Sequence, residues 1–186
     1  LKNDRDWTEP LILGAVDPAH AHDKPARLDT TIVEYGTALT RAMKGSFELL
    51  HANFPASFAS LMADEAIDAT VIARLYEEQR AHSKAEFQAF AAKVGLPKAR
   101  CHLVDTDPAF AIPHVARKLG ADVVVMGAVA RSGLKRVFVG NTAERILDAL
   151  PCDVLVVKPG HFPRKVKSAS RGMRIVPQQP LLPLPI

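Results

Sequence analysis

The sequence predicts a doubly wound α/β domain, a parallel sheet with helices on both faces. Three observations predict it. Short apolar runs closed by turn residues alternate with segments of helical period along most of the chain. Those runs are apolar at successive positions, as strands covered on both sides must be. The chain has 186 residues, 48% of them apolar and 24% charged, enough for one ordinary domain with a sizeable core.

The elements follow in order. Residues 1–10 are polar, end in Pro10 and read as a lead-in or linker. Leu11-Ile12-Leu13-Gly14-Ala15-Val16 is a first strand stopped by Asp17-Pro18. Leu28 to Met43 is an amphipathic helix with Ile32, Tyr35, Leu39 and Met43 as its stripe, ended by Gly45. Phe47 to Ala52 is a second strand, and residues 53–63 are irregular around Pro55. Asp64 is placed to cap a long helix reaching about Val94, with Ile67, Val71, Leu75, Phe87, Phe90 and Val94 buried and Gly95 and Pro97 as the stop. Arg100 to Val104 is a third strand. Asp107-Pro108 opens a helix to Leu119 that Gly120 closes, with Pro113 expected to kink it or delay its start. Ala121 to Met126 is the strongest strand, followed by a glycine-punctuated segment, Gly127 to Gly140. A helix from Asn141 or Thr142 to Leu150 is broken by Pro151, and Asp153 to Val157 is the fifth strand. The domain is thus residues 11–160, and residues 161–186, with five prolines and no periodicity, form a tail expected to be disordered.

The net charge of +4 sits in that tail. Arg164, Lys165, Lys167, Arg171 and Arg174 are there with no acid, leaving 19 basic and 20 acidic side chains on the rest. The near-neutral domain argues against a nucleic-acid-binding face. No apolar stretch reaches the roughly 20 residues of a membrane span, and no charged-then-apolar leader opens the chain, so a cytoplasmic location is expected. Cys101 and Cys152 lie in β-like runs and read as two buried thiols of a reducing compartment.

In a doubly wound sheet the winding reverses once, and ligands bind in the crevice that opens beyond the strand carboxyl ends there. Two strand-end segments carry suitable chemistry. Asp17 follows the first strand, and Gly127-Ala128-Val129-Ala130-Arg131-Ser132-Gly133 follows the fourth. Glycines there let the backbone approach a ligand, and a helix opening at Gly140-Asn141-Thr142 offers unpaired N–H groups to an anion. Arg131, Lys135 and Arg136 lie between and can neutralise phosphate. The residues alone describe either a nucleotide notch lined mainly by backbone or a turn whose Asn141 or Thr142 caps a helix.

Val123 to Gly127, Arg131-Ser132-Gly133-Leu134, Gly140-Asn141-Thr142-Ala143-Glu144-Arg145-Ile146-Leu147 and Cys152 to Pro159 together resemble the universal stress protein family. The resemblance extends more weakly from about Pro10 to Pro159 and is greatest to the carboxyl-terminal domain of tandem, E-type members. It implies a sheet ordered 3-2-1-4-5 of the adenine-nucleotide-hydrolase-like kind, with the reversal between strands one and four. It also implies that the lead-in ending Trp7-Thr8-Glu9-Pro10, in a chain opening on Leu1 rather than Met, is an interdomain linker.

ATP-binding members carry Gly, two residues, Gly, nine residues, Gly, then Ser or Thr. Here Gly127 and Gly140 match the outer glycines, Ala130 replaces the middle one, and Asn141 stands in the Ser/Thr place with Thr142 beside it. Asp17 matches the acidic residue near adenine and ribose, and Ala52 the apolar residue beside the base. With Met126 and Arg131 these make the expected nucleotide-binding set. An alanine at position 130 fills space a phosphate would need and, if φ is positive there, is strained by roughly 1 kcal/mol. The expectation is therefore a degenerate notch without tight ATP binding; ATP, another phosphate-bearing ligand, a lipid-like ligand or none stays open.

His20 and His22 lack a third ligand in the sequence, so no metal is expected. His51 reads as a satisfied, half-buried histidine, and His102 and His114 show no partner in sequence. No nucleophile elbow, Walker lysine or Cys-x-x-Cys pair appears, and no catalytic residue is assigned. The sequence thus predicts a non-catalytic stress-response module. Val154, Leu155, Val156 and Val157 are its expected pairing edge for a second copy or a sister domain. The alternative is an ATP-binding or slowly ATP-hydrolysing protein of the same family.

Overall fold

In a computed structural model of the protein, the described residues are 7–19, 27–53, 68–127 and 141–158, with backbone alone for 141–143. Five strands, β1 (Leu11–Val16), β2 (Ser46–Ala52), β3 (Cys101–Val104), β4 (Val123–Gly127) and β5 (Asp153–Val157), form one sheet in the order β3-β2-β1-β4-β5. Every pairing is parallel. Helices α1 (Leu28–Met43), α2 (Ala69–Lys93), α3 (Pro108–Leu119) and α4 (Asn141–Ala149) connect the strands. The expected fold class and strand order are those observed.

Alternation along the strands divides the core in two. Ile12, Val16, Phe47, Leu49, Val123 and Val125 pack with α1 and α2 residues such as Leu28, Ile32 and Phe87. Leu13, Leu50, Val124 and Met126 pack on the other face with Ile112 and Val115 of α3, Ile146 of α4 and Leu150 just beyond it. Helix α1, which follows β1, and helix α4, which follows β4, are thus on opposite faces, and the winding reverses between β1 and β4.

Several local readings are corrected. In α1 the buried residues are Leu28, Ile32, Val33 and Gly36, while Tyr35 is 54% exposed. Gly36 lets the helix settle on Phe47: a Cβ there would stand 2.2 Å from the Phe47 ring. Lys44, at φ 55°, closes α1 rather than Gly45. Gly45 is needed instead for close approach, because a Cβ would meet the Pro10 carbonyl at 2.1 Å.

Helix α2 is capped by Asp68, whose side chain accepts from the Thr70 N–H at 2.7 Å; Asp64 and Ile67 lie outside the described residues. Its packed stripe runs Ile72, Tyr76, Gln79, Ser83, Phe87 and Ala91, at least half-buried throughout. Val71 and Leu75, expected in that stripe, are 49% and 42% exposed. The polar Ser83 within the true stripe hides it from an apolar-period reading.

Helix α3 opens as expected, with Asp107 accepting from the Ala109 N–H at 2.8 Å, Pro108 in the first turn and Gly120 left-handed at its end. Pro113 does not delay its start and is buried. Arg100 belongs to a short 3-10 turn, Lys98–Arg100, ahead of β3. Both cysteines are free thiols; Cys152 is buried, whereas Cys101 is only half-buried.

Candidate functional site

β1 and β4 pair side by side up to Ala15 and Met126, so Asp17 and Gly127 emerge together where the winding reverses. Asp17 is positioned by neighbours on three elements. Its N–H donates to Asp29 Oδ1 in the first turn of α1 at 3.1 Å. Its Oδ1 lies 3.8 Å from His51 Nδ1 of β2. His51, fully buried rather than half-buried, places Nδ1 3.1 Å from the Val16 carbonyl and Nε2 2.7 Å from Ser83 Oγ of α2. A carbonyl only accepts, so in the neutral ring Nδ1 carries the proton and Nε2 accepts from the Ser83 hydroxyl. The imidazole therefore ties α2 to the end of β1, with Phe87 tilted against its ring.

Gly127 ends β4 directly beneath the start of α1. A Cβ on it would stand 2.6 Å from Leu28 Cδ2, so the close approach Gly127 permits is that of Leu28. Met126 is buried in the core on the α3 and α4 side of the sheet, and Ala52 ends β2 opposite Val104. Asn141 begins α4; the side chains of Asn141 and Thr142 and the whole of Ala130, Arg131 and Gly140 lie outside the described residues, as do His20 and His22. Among the described residues no cluster of three or more His, Cys, Asp or Glu is arranged to hold a metal.

Beyond the ends of β2 and β3 stands a polar cluster that the sequence did not suggest. Asn53 donates its backbone N–H to Val104 O at 2.8 Å and its Nδ2 to Asp105 Oδ1 at 3.2 Å. Asp105 Oδ2 accepts from Arg80 Nε of α2 at 2.8 Å. That carboxylate raises the basicity of the guanidinium above its ordinary value. Asn53 is 2% exposed, and its Oδ1 has no hydrogen-bond partner among the described residues. His102 and His114, which showed no partner in sequence, have neighbours here: His102 pairs with Glu48 of β2, and His114 stacks on Phe110 one turn earlier in α3.

β5 closes one side of the sheet, pairing with β4. Val154 and Val156 lie on one face of it and are each 36% exposed, whereas Val157 is buried and Leu155 half-buried on the α1 side.

A parallel sheet whose winding reverses between β1 and β4, with helices on both faces, defines a doubly wound α/β domain with a single topological switch point. The chain belongs to the universal stress protein family, whose model matches residues 13–158. It is 29% identical over 163 residues to the universal stress protein E homolog of Haemophilus influenzae, covering 86% of this chain and 51% of that one. The chain thus spans about half the length of this relative. A functionally unknown protein of Pseudomonas aeruginosa PAO1 superposes with a TM-score of 0.62 at 32% identity, over 85% of this chain and 50% of that one. The universal stress protein UspA of Lactobacillus plantarum shares the fold, at a TM-score of 0.56 and 20% identity over 80% of this chain and 97% of that one. No helix among the described residues is long and apolar enough to cross a membrane.

Proposed function

We propose that the protein is a non-catalytic stress-response module that pairs through β5 with a second copy of itself or with a sister domain. The observation that carries this is the position of β5 at the end of the sheet with Val154 and Val156 exposed on one face. A terminal strand of that kind offers backbone groups and apolar side chains together, the combination that adds a strand from another chain. Light scattering of the full chain tests it: a dimer is expected for the native protein and a monomer for Leu155→Pro. Replacing Val154 and Val156 together with Lys is the companion experiment, since both side chains already reach solvent and the fold tolerates their charge. A native monomer, or a dimer unchanged by either substitution, contradicts the reading.

A second reading, a weak nucleotide-type notch at the β1/β4 reversal, is favoured by the pairing that sets Asp17 beside Gly127. Ala130, in place of the middle glycine, weakens phosphate binding on this reading. Calorimetry with Mg-ATP checks it: Ala130→Gly is expected to tighten binding, and absence of heat at millimolar nucleotide in both proteins removes it.

A further inference from the structure

We infer that Trp7–Pro10 is a strap built into the domain rather than the last part of a linker, so that the chain ahead of it departs from Trp7 and not from Leu11. A sister domain joined through residues 1–6 then hangs on a tether of at most about 20 Å, in place of the roughly 35 Å that ten extended residues reach. The strap itself rests on neither the β5 nor the notch reading; its consequence for a sister domain rests on the pairing reading.

The strap is held at three places. Trp7 is half-buried and packs against the core on the α1 and α2 side of the sheet. An indole offers more apolar area than almost any other side chain and makes an effective anchor. Pro10 is fully buried, and its carbonyl accepts the Ser46 N–H at 2.9 Å. That carbonyl sits so close to Gly45 that a Cβ there would stand 2.1 Å from its oxygen, which fixes the seat from the β2 side. On the β4 side, Leu11 donates its N–H to Asp122 Oδ2 and its carbonyl accepts the Asp122 N–H, both at 2.9 Å. Between Trp7 and Pro10, Glu9 has φ 52°, in the left-handed region that a residue with a Cβ avoids. A free tether relaxes such a residue to negative φ. Strain of this kind persists only where the surroundings over-determine it.

Trp7 is the one tryptophan of the chain, so its indole N–H is a single, separate reporter of the strap. In nitrogen-15 relaxation of the full chain, Trp7, Thr8 and Glu9 are expected at order parameters of about 0.8 or more, level with the strands, where a tether gives values below about 0.6. Trp7→Ala should drop Thr8 and Glu9 into that lower range while the strand amides keep theirs, which shows in the same spectra that the variant is folded. Glu9→Val, which introduces a β-branched side chain that resists left-handed backbone more strongly, should lower Tm, and Glu9→Gly should not. Order parameters below about 0.6 from Trp7 to Glu9 in the native chain, or a Tm unmoved by both Trp7→Ala and Glu9→Val, overturns the strap whether or not the chain pairs through β5.

Discussion

Replacing Gly36 with Ala sets two known effects against each other. Alanine in a helix interior is favoured over glycine by about 1 kcal/mol. Against that, the new Cβ would stand 2.2 Å from Phe47 Cε2 and 2.9 Å from Cδ2 and Cζ. The ring cannot retreat toward β1, where even a Cβ at Gly14 would come within 2.7 Å of its Cζ. Phe47 is thus clasped between two glycines, and overfilling such a slot costs about 1–3 kcal/mol. The closeness of the clash puts the cost at the upper end of that range, for a net loss of up to about 2 kcal/mol. At about 2–4 °C per kcal/mol for a chain of this size, Tm falls by up to about 8 °C. In a Phe47→Leu background the slot has room, and Gly36→Ala becomes neutral or stabilising by up to about 1 kcal/mol. Urea denaturation of the four proteins of this cycle measures the coupling. If Gly36→Ala stabilises the native protein as much as it does the Phe47→Leu protein, α1 does not rest on the sheet in the way described. The position of Leu28 over Gly127 and of Asp29 on Asp17 would then lose its physical basis.

Two further outcomes follow from the site and its flank. His51→Leu leaves the Ser83 hydroxyl and the Val16 carbonyl without their ring partner, which costs about 1–3 kcal/mol for each group; restoration by Ser83→Ala together with His51→Leu, seen in denaturant melts, would tie part of that loss to the hydroxyl. The Asp68 carboxyl is held below its ordinary range, first by the Thr70 hydroxyl and then by the Thr70 N–H. Because its folded value is the lower one, the cap is intact above the ordinary aspartate range and is lost as pH falls through the lowered value. The protection factor of the Thr70 amide, its exchange relative to the unstructured rate at the same pH, should therefore fall in acid, and in Asp68→Ala it should be low at every pH; a protection factor independent of pH in the native protein would contradict this.

The five strands were legible because strands buried on both sides announce themselves as unbroken apolar runs, whereas their order came only with the family resemblance. Helix faces were less so, and for a common reason. In α1 the position that meets the sheet beside Ile32 is Gly36, which carries no apolar signal, while Tyr35 carries a strong one and points out. In α2 the pairs Val71/Leu75 and Ile72/Tyr76 are equally good helical ladders, and the choice between them is made by Ser83 meeting His51, a polar contact across 32 residues. Asp17 and Gly127 could be found as strand-end residues, but the reason Gly127 must lack a side chain is Leu28, which nothing in the local pattern discloses. The cluster of Asn53, Arg80 and Asp105 joins residues 25 and 52 apart in sequence, and no spacing rule connects them.

Pairing through β5 is tested most directly by hydrogen–deuterium exchange of the Val154–Val157 amides at two protein concentrations, one well above and one well below the dimer dissociation constant. Protection of these amides that rises with concentration, while β3 at the opposite edge stays unchanged, is the expected result. Exchange at β5 that is the same at both concentrations, with the chain dimeric at the higher one, would place the contact elsewhere and contradict the account.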